Sequence, residues 1–217
     1  MPHPWPLVPL GEVLTERQEV PSQDALTSGE VRIIAKIGFN DGAIQLRSDG
    51  ETRTNMILIR PGDLVLSGIN AAKGAIGIYG KENEDPIAAT IHYGAYKVRK
   101  EKADIHFLWW LLRSKIFRDI LLQNIPGGIK TELKAKRLLP IPVPLPPLSD
   151  QQHIVAKIET LAAKIEEAHA LRHRAAGEVE AFVTSMHLKL AGKRSREMGD
   201  GLFHFTHVEY ACKIQAC

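Results

Sequence analysis

The chain has 217 residues, 44% apolar and 24% charged, the balance of a globular protein and not of a fibre or a disordered tract. A net charge of +3 does not mark a general polyanion binder, and residues 1–148 carry 19 Lys and Arg against 16 Asp and Glu, so any basic surface must be local. Both cysteines, Cys212 and Cys217, stand at the far end, which excludes a disulfide framework for the body, and no apolar run reaches the roughly 18 residues of a membrane span. The expectation is a cytoplasmic protein with no membrane partner.

In chain order, residues 7–20 suit a short entry segment with a helical turn before Pro21. Val31 to Leu46 reads as a β-hairpin turning at Asn40-Asp41-Gly42. Strands are expected at 56–60, 63–67 and 75–79 as a meander, separated by Pro61-Gly62 and by the loop 68–74. Residues 87–99 add one or two more, with Gly94 as a bulge or bend. From Asp104 to Gln123 the period changes: Phe107, Leu108, Leu111, Leu112, Ile116, Ile120 and Leu121 fall on one face of a helix, which Pro126-Gly127-Gly128 ends.

In "PIPVPLP" the prolines at 140, 142, 144 and 146 alternate with Ile141, Val143 and Leu145. An extended chain turns alternate N–H groups to the same edge, so all the missing donors fall on one edge, and the segment can pair on one side only. It is expected to be an edge strand with Ile141, Val143 and Leu145 facing the core. Ser149 and Gln152 have capping-box spacing, predicting a helix from Asp150 to about residue 189. Its apolar residues, including Ile154, Ile158, Leu161, Ile165, Val179, Phe182 and Met186, step by fours and threes as a coiled-coil seam does. No other segment matches this helix in length, so its expected partner is a second chain. Residues 191–217 show no period and read as a tail.

The chemistry of catalysis is missing from the pattern. No phosphate-binding G-x-x-x-x-G-K-[ST] occurs, and loop 68–74 reads better as a strand connection. His169 and His173 lie one helical turn apart without an evident third ligand, and His204, His207, Cys212 and Cys217 match no structural zinc spacing. Ser67, His92 and Asp63 lack the local sequence of a nucleophile elbow. No catalytic residue, metal or cofactor is expected. What remains is polar and basic: Lys36, Asn40, Arg47, Arg53, Asn70 and Lys73 in the loops at 36–53 and 68–74, the run 97–102, and Lys130, Lys134, Lys136 and Arg137. These are residue types that donate to base edges and phosphates, and they are informative only if they share a face.

The stretches "RPGDLVLSGINAAKGAIGIYG" and "HFLWWLLRSKIFRDILLQNIPGGIKTELKAKRLLPIPVPLPPLSDQQHIVAKIETL" closely resemble the specificity subunit of type I restriction-modification systems, over about residues 7–190. The most specific part is "IPVPLPPLSDQQHIVAKI", similar to that family's joint between recognition domain and helix. The resemblance implies an α+β fold: a mixed β-rich target recognition domain with packed helices at 1–148, one long coiled-coil-forming helix at 149–190, and a tail of uncertain structure at 191–217.

It further implies a non-catalytic partner of double-stranded DNA that reads half of a bipartite target, and the polar and basic residues already singled out by type, Lys36, Asn40, Arg47, Arg53, Asn70, Lys73, Lys130, Lys134 and Lys136, are the expected contacts. The adenine methyltransferase subunits would dock on the helix, and a separate restriction and translocase subunit would join them. Family members usually carry two recognition domains and two helices; this sequence has one of each, so a half-length subunit acting as a homodimer is expected. The competing expectation is an adaptor or antagonist that binds the methyltransferase through its helix and no DNA.

Overall fold

The computed structural model describes residues 5–47, 55–80, 85–124 and 132–197, with side chains as far as Leu190. The elements are β1 (Leu7–Pro9), a 3-10 turn (Leu10–Glu12), β2 (Leu14–Glu16), α1 (Gln23–Thr27), β3 (Ile34–Ile37), β4 (Ile44–Leu46), β5 (Met56–Ile59) and β6 (Leu64–Ser67). A second 3-10 turn (Ala71–Lys73) leads to β7 (Ile76–Ile78), β8 (Ile87–Thr90) and β9 (Tyr93–Val98). Then come α2 (Ile105–Arg113), α3 (Lys115–Asn124), α4 (Ala135–Leu138), β10 (Pro142–Pro144) and α5 (Leu148–Glu197). This is an α+β fold with a long C-terminal helix. It divides into two compact units, Met1–Thr160 and Leu161–Cys217.

The first unit is built on an antiparallel sheet of order β2-β9-β6-β7. All four residues of β6 are buried because both faces of the sheet are covered. Leu64 and Leu66 enter the main core with Leu10, Ile76, Tyr96, Leu108, Leu112, Phe117, Leu138 and Val143. Val65, between them, enters a second core on the opposite face with Ile34, Ile37, Ile59, Ile87 and Ala95, supplied by the hairpin β3–β4 and the pair β5–β8. Each fully buried leucine or isoleucine contributes on the order of 2 kcal/mol from desolvation.

The hairpin forms as its residues predict, with Gly42 at φ +70° and Asp41 Oδ1 accepting from Ala43 N at 3.0 Å. The meander forms in its second half only: β6 pairs antiparallel with β7, while β5 pairs with β8 and not with β6, the chain breaking direction at Gly62, φ +83°. Nor is Gly94 a bulge, since β9 runs opposite β6 in unbroken register. A Cβ on Gly94 would lie 2.6 Å from the Tyr96 hydroxyl, so this glycine makes room for the buried ring two residues on.

The expected helix over 104–123 is two helices. Ser114 is extended, at φ −73° and ψ 162°, and its hydroxyl accepts from Phe117 N at 3.2 Å, starting α3 afresh. The break rotates the second stripe, so that Phe117 is fully buried and Ile116 lies 47% exposed.

The entry segment does hold a helical turn, the 3-10 turn Leu10–Glu12, and it is flanked by two short strands that its residues did not announce. β1 pairs antiparallel with β10, Val8 opposite Val143, which gives the proline segment its single partner. Ile141 and Val143 are buried and Leu145 packs half-buried against the main core, as expected of a one-sided edge strand.

The long helix begins at Leu148 instead of Asp150, and Pro147 O accepts from Asp150 N and Gln151 N at 3.0 Å each. No capping-box bond joins Ser149 to Gln152. Gln151 turns inward instead, fully buried, accepting from Asp104 N at 2.8 Å and donating to Pro146 O at 2.8 Å and Lys102 O at 3.2 Å. In the second unit Leu161, Ile165, Val179, Phe182 and Met186 are 44–66% exposed. No helix among the described residues is long and apolar enough to cross a membrane.

Candidate nucleic-acid interface

One concavity of about 300 Å³ gathers residues that are far apart in sequence. The hairpin contributes Lys36, Asn40 and Gln45; the end of β6 and the loop after it contribute Ser67 and Asn70; β9 contributes Tyr93. These meet because Ser67 and Tyr93 are direct cross-strand neighbours, while the loop after β6 is folded over by Gly74 at φ +92°. A Cβ on Gly74 would stand 2.8 Å from Phe39 O, so loop and hairpin touch backbone to backbone.

Tyr93 also borders a second concavity of about 200 Å³, shared with His92, Leu133 and Lys134. Here Leu133 N donates to Gly68 O at 2.8 Å and Gly68 N to His92 O at 2.7 Å, joining the segment before α4 to the sheet end. His92 Nδ1 lies 2.9 Å from Glu132 Oε1, and this contact holds the Glu132 carboxyl below the usual carboxylate range. Lys134 Nζ lies 3.6 Å from the same carboxylate, and Arg137 Nη1 donates to Glu132 O at 3.2 Å. Burial raises the Tyr93 phenol while Arg47 opposes the shift, so Tyr93 stays a neutral hydrogen-bonding group at physiological pH.

Of the residues expected to contact DNA, Lys36, Asn40 and Asn70 therefore meet in the first concavity, and Lys134 lies in the second, beyond Tyr93. Arg47 is half-buried within electrostatic reach of Tyr93, its Nε without a hydrogen-bond partner. Lys73 lies over the Phe39 ring, 5.9 Å from its centroid, at the hairpin tip. Lys136 is exposed on α4 and lines neither concavity. Arg53 and Lys130 lie outside the described residues, as does most of the segment 191–217.

The sequence points to none of Gln45, Tyr93 and Glu132, and it raises Ser67 and His92 only as members of a catalytic triad. Their signal was available only through pairing: Ser67 and Tyr93 end strands whose register no local pattern fixes.

These side chains carry hydrogen-bond donors and acceptors, and among the described residues of the two concavities no nucleophile is held by a base. Asp63 is committed to Arg17 and His92 to Glu132, so neither is aligned on Ser67. Among the described residues no group of three or more His, Cys, Asp or Glu could hold a metal ion.

A family model described as the type I restriction modification DNA specificity domain matches residues 2–172. The chain belongs to this family. A curated relative, the type I restriction enzyme MjaVIII specificity subunit of Methanocaldococcus jannaschii, is 28% identical over 141 residues, covering 63% of this chain and 32% of the relative. Among solved structures, the HsdS subunit from Thermoanaerobacter tengcongensis aligns with a TM-score of 0.64 and 23% identity over 85% of this chain and 49% of that one. A chain from a study of complex assembly and conformational transition of the type I R-M system aligns with a TM-score of 0.62 and 21% identity, over 88% and 50%. The specificity-domain chain thus spans about a third of the curated relative and half of each solved one, and the solved structures support the shared fold.

Proposed function

We propose that this specificity-domain chain is a sequence-specific DNA-binding subunit of a type I restriction-modification complex. It reads one half of a bipartite target, docks the adenine methyltransferase subunits along α5, and performs no chemistry itself. The observation that carries the reading is the meeting of Lys36, Asn40, Gln45, Ser67, Asn70 and Tyr93 around one concavity of a fold with this family membership. Amide side chains at such a rim suit bidentate bonds to adenine, and lysine suits guanine edges and phosphates. Lys134, Lys73 and Arg47 flank the concavity as phosphate contacts, and Arg53, Lys130 and Lys136 complete the proposed set.

The test is binding of the full chain to duplexes selected from a randomised pool, across a salt series. The proposal expects a selected motif and strong salt dependence, with Lys134→Glu lowering the slope of log affinity against log salt by about 1. Equal binding to every duplex, or none, would support the adaptor reading and overturn this one.

Pairing of two copies through α5 completes the proposal. Ile154 and Ile158 begin the seam within the first unit, where they are half-buried, and the exposed residues from Leu161 to Met186 continue it. A helix of 50 residues rises about 75 Å, enough for an antiparallel pair to hold two readers more than one duplex turn apart. The target would then be two identical half-sites in inverted order. Ile165→Glu is expected to shift the mass measured by light scattering from dimer to monomer at micromolar concentration, because a charge is driven into an apolar seam. An unchanged mass would remove α5 as the dimer contact.

A further inference from the structure

Two residues behind the hairpin tip stand outside the concavity just described. Arg113, the last residue of α2, donates through Nη2 to Phe39 O at 3.1 Å and also to Asn40 O, two consecutive carbonyls of the turn. Its guanidinium lies 4.2 Å from the centroid of the Trp109 ring, one helical turn earlier. Trp109 Nε1 in turn donates to Ile76 O on β7 at 2.9 Å. Gly42 closes the junction: a Cβ there would lie 2.5 Å from Ile76 O and 2.9 Å from Trp109 Nε1. The hairpin tip is therefore seated directly on β7 and α2, with no space for a side chain between them.

From this geometry we infer that Arg113, held by Trp109, is a positioning residue for sequence readout by Asn40. One planar guanidinium bonded to the carbonyls of residues 39 and 40 fixes the peptide planes on both sides of Asn40, and so the direction in which its amide leaves the backbone. Bidentate reading of a base demands that alignment, and a tip without it pays the ordering cost at each binding event. A lysine keeps the charge, but its rotating ammonium has neither the fixed in-plane N–H directions of Nη2 nor the flat face that rests on Trp109. Partial burial beneath the turn holds the Arg113 pKa below its ordinary value, with Asp41 opposing the shift, and the half-buried guanidinium remains a cation at physiological pH.

The inference rests on the hairpin being part of the DNA interface, and its test separates the two. In the full chain, Arg113→Lys and Trp109→Phe are expected to reduce the preference for a pool-selected duplex over its scrambled sequence about tenfold, the scale of one misaligned base contact. Binding to the scrambled duplex should change less than about twofold, and the salt slope of Arg113→Met should match the parent, because no phosphate contact is lost. A slope lowered by about 1 would make Arg113 a phosphate ligand and overturn the inference.

Hydrogen exchange gives a readout without DNA. The amides of Gly38 and Gly42, bonded to Ala43 O at 2.9 Å and Gly38 O at 3.1 Å, should lose protection in Arg113→Lys while β6 and β9 keep theirs. Unchanged protection overturns the positioning role whatever the binding data say. Asn40→Ala is the control for the interface: if it leaves the preference intact while Arg113→Lys frees the tip, the reading of the hairpin fails and the seating of it stands.

Discussion

Asp63→Ala is expected to destabilise the first unit by about 3–5 kcal/mol, the cost of stranding a buried charge. Asp63 is 2% exposed and Arg17 is 7% exposed. The carboxylate takes both arms of the guanidinium, from Nε at 2.5 Å and from Nη2 at 2.7 Å, and accepts in addition from Arg60 N at 2.9 Å. Those bonds, with the adjacent Glu19, raise the Arg17 pKa, so Arg17 keeps its charge and cannot escape the loss by deprotonating. Glu19 accepts from Arg17 Nη1 and from Arg60 Nε, the latter at 2.7 Å, but it is part-exposed and leaves Nε and Nη2 of the buried guanidinium without an acceptor once Asp63 is gone. Denaturant unfolding checks this, and a double variant separates pair from charge: Arg17→Met with Asp63→Leu should recover most of the loss, since apolar groups of similar volume need no compensation. A double variant as unstable as Asp63→Ala would show that the loss comes from packing.

The second large effect is expected at Gln151, where leucine should lower stability by about 2–4 kcal/mol. The side chain is wholly buried, and its amide group satisfies one donor and two acceptors of the backbone at Asp104, Lys102 and Pro146. Leucine fills the space and leaves all three unpaired, so the midpoint of thermal unfolding should fall by about 5–10 °C. Gln151→Glu sharpens the test through pH. Between two carbonyl oxygens a buried carboxylate is disfavoured, which raises its folded pKa above the unfolded value of about 4.3. The deficit should be smallest below about pH 4, where both states are protonated, and should grow as pH rises through the folded pKa. A pH-independent deficit would mean that the group reaches water.

These two sites also mark what the sequence made legible. Local chemistry was readable: the alternating prolines specified a one-sided strand, and Asn40-Asp41-Gly42 specified a turn, because each depends on neighbours in the chain. Partners were not. Nothing near Met56 says that β5 pairs with β8, and nothing near Gln151 distinguishes it from Gln152, one facing Asp104 in the interior and the other water. The helix break at Ser114 was hidden because the apolar spacing continues across it, although Ser114 itself is a cap residue. At the candidate concavity, Lys36, Asn40 and Asn70 are singled out by residue type alone, while Tyr93 and Ser67 join them there through strand register.

The pairing of β1 with β10 has a consequence beyond the proline pattern. The first strand of the first unit and the strand just before α5 lie side by side in antiparallel register, Leu7 opposite Pro144. A body whose entrance and exit share one doorway behaves as a cassette: it can be spliced into, duplicated along, or exchanged between longer polypeptides while the flanking segments keep their path. Under the proposed function, two such cassettes differing only in their loops would read different targets from the same α5, and an exchange at the doorway would change specificity with the core left untouched.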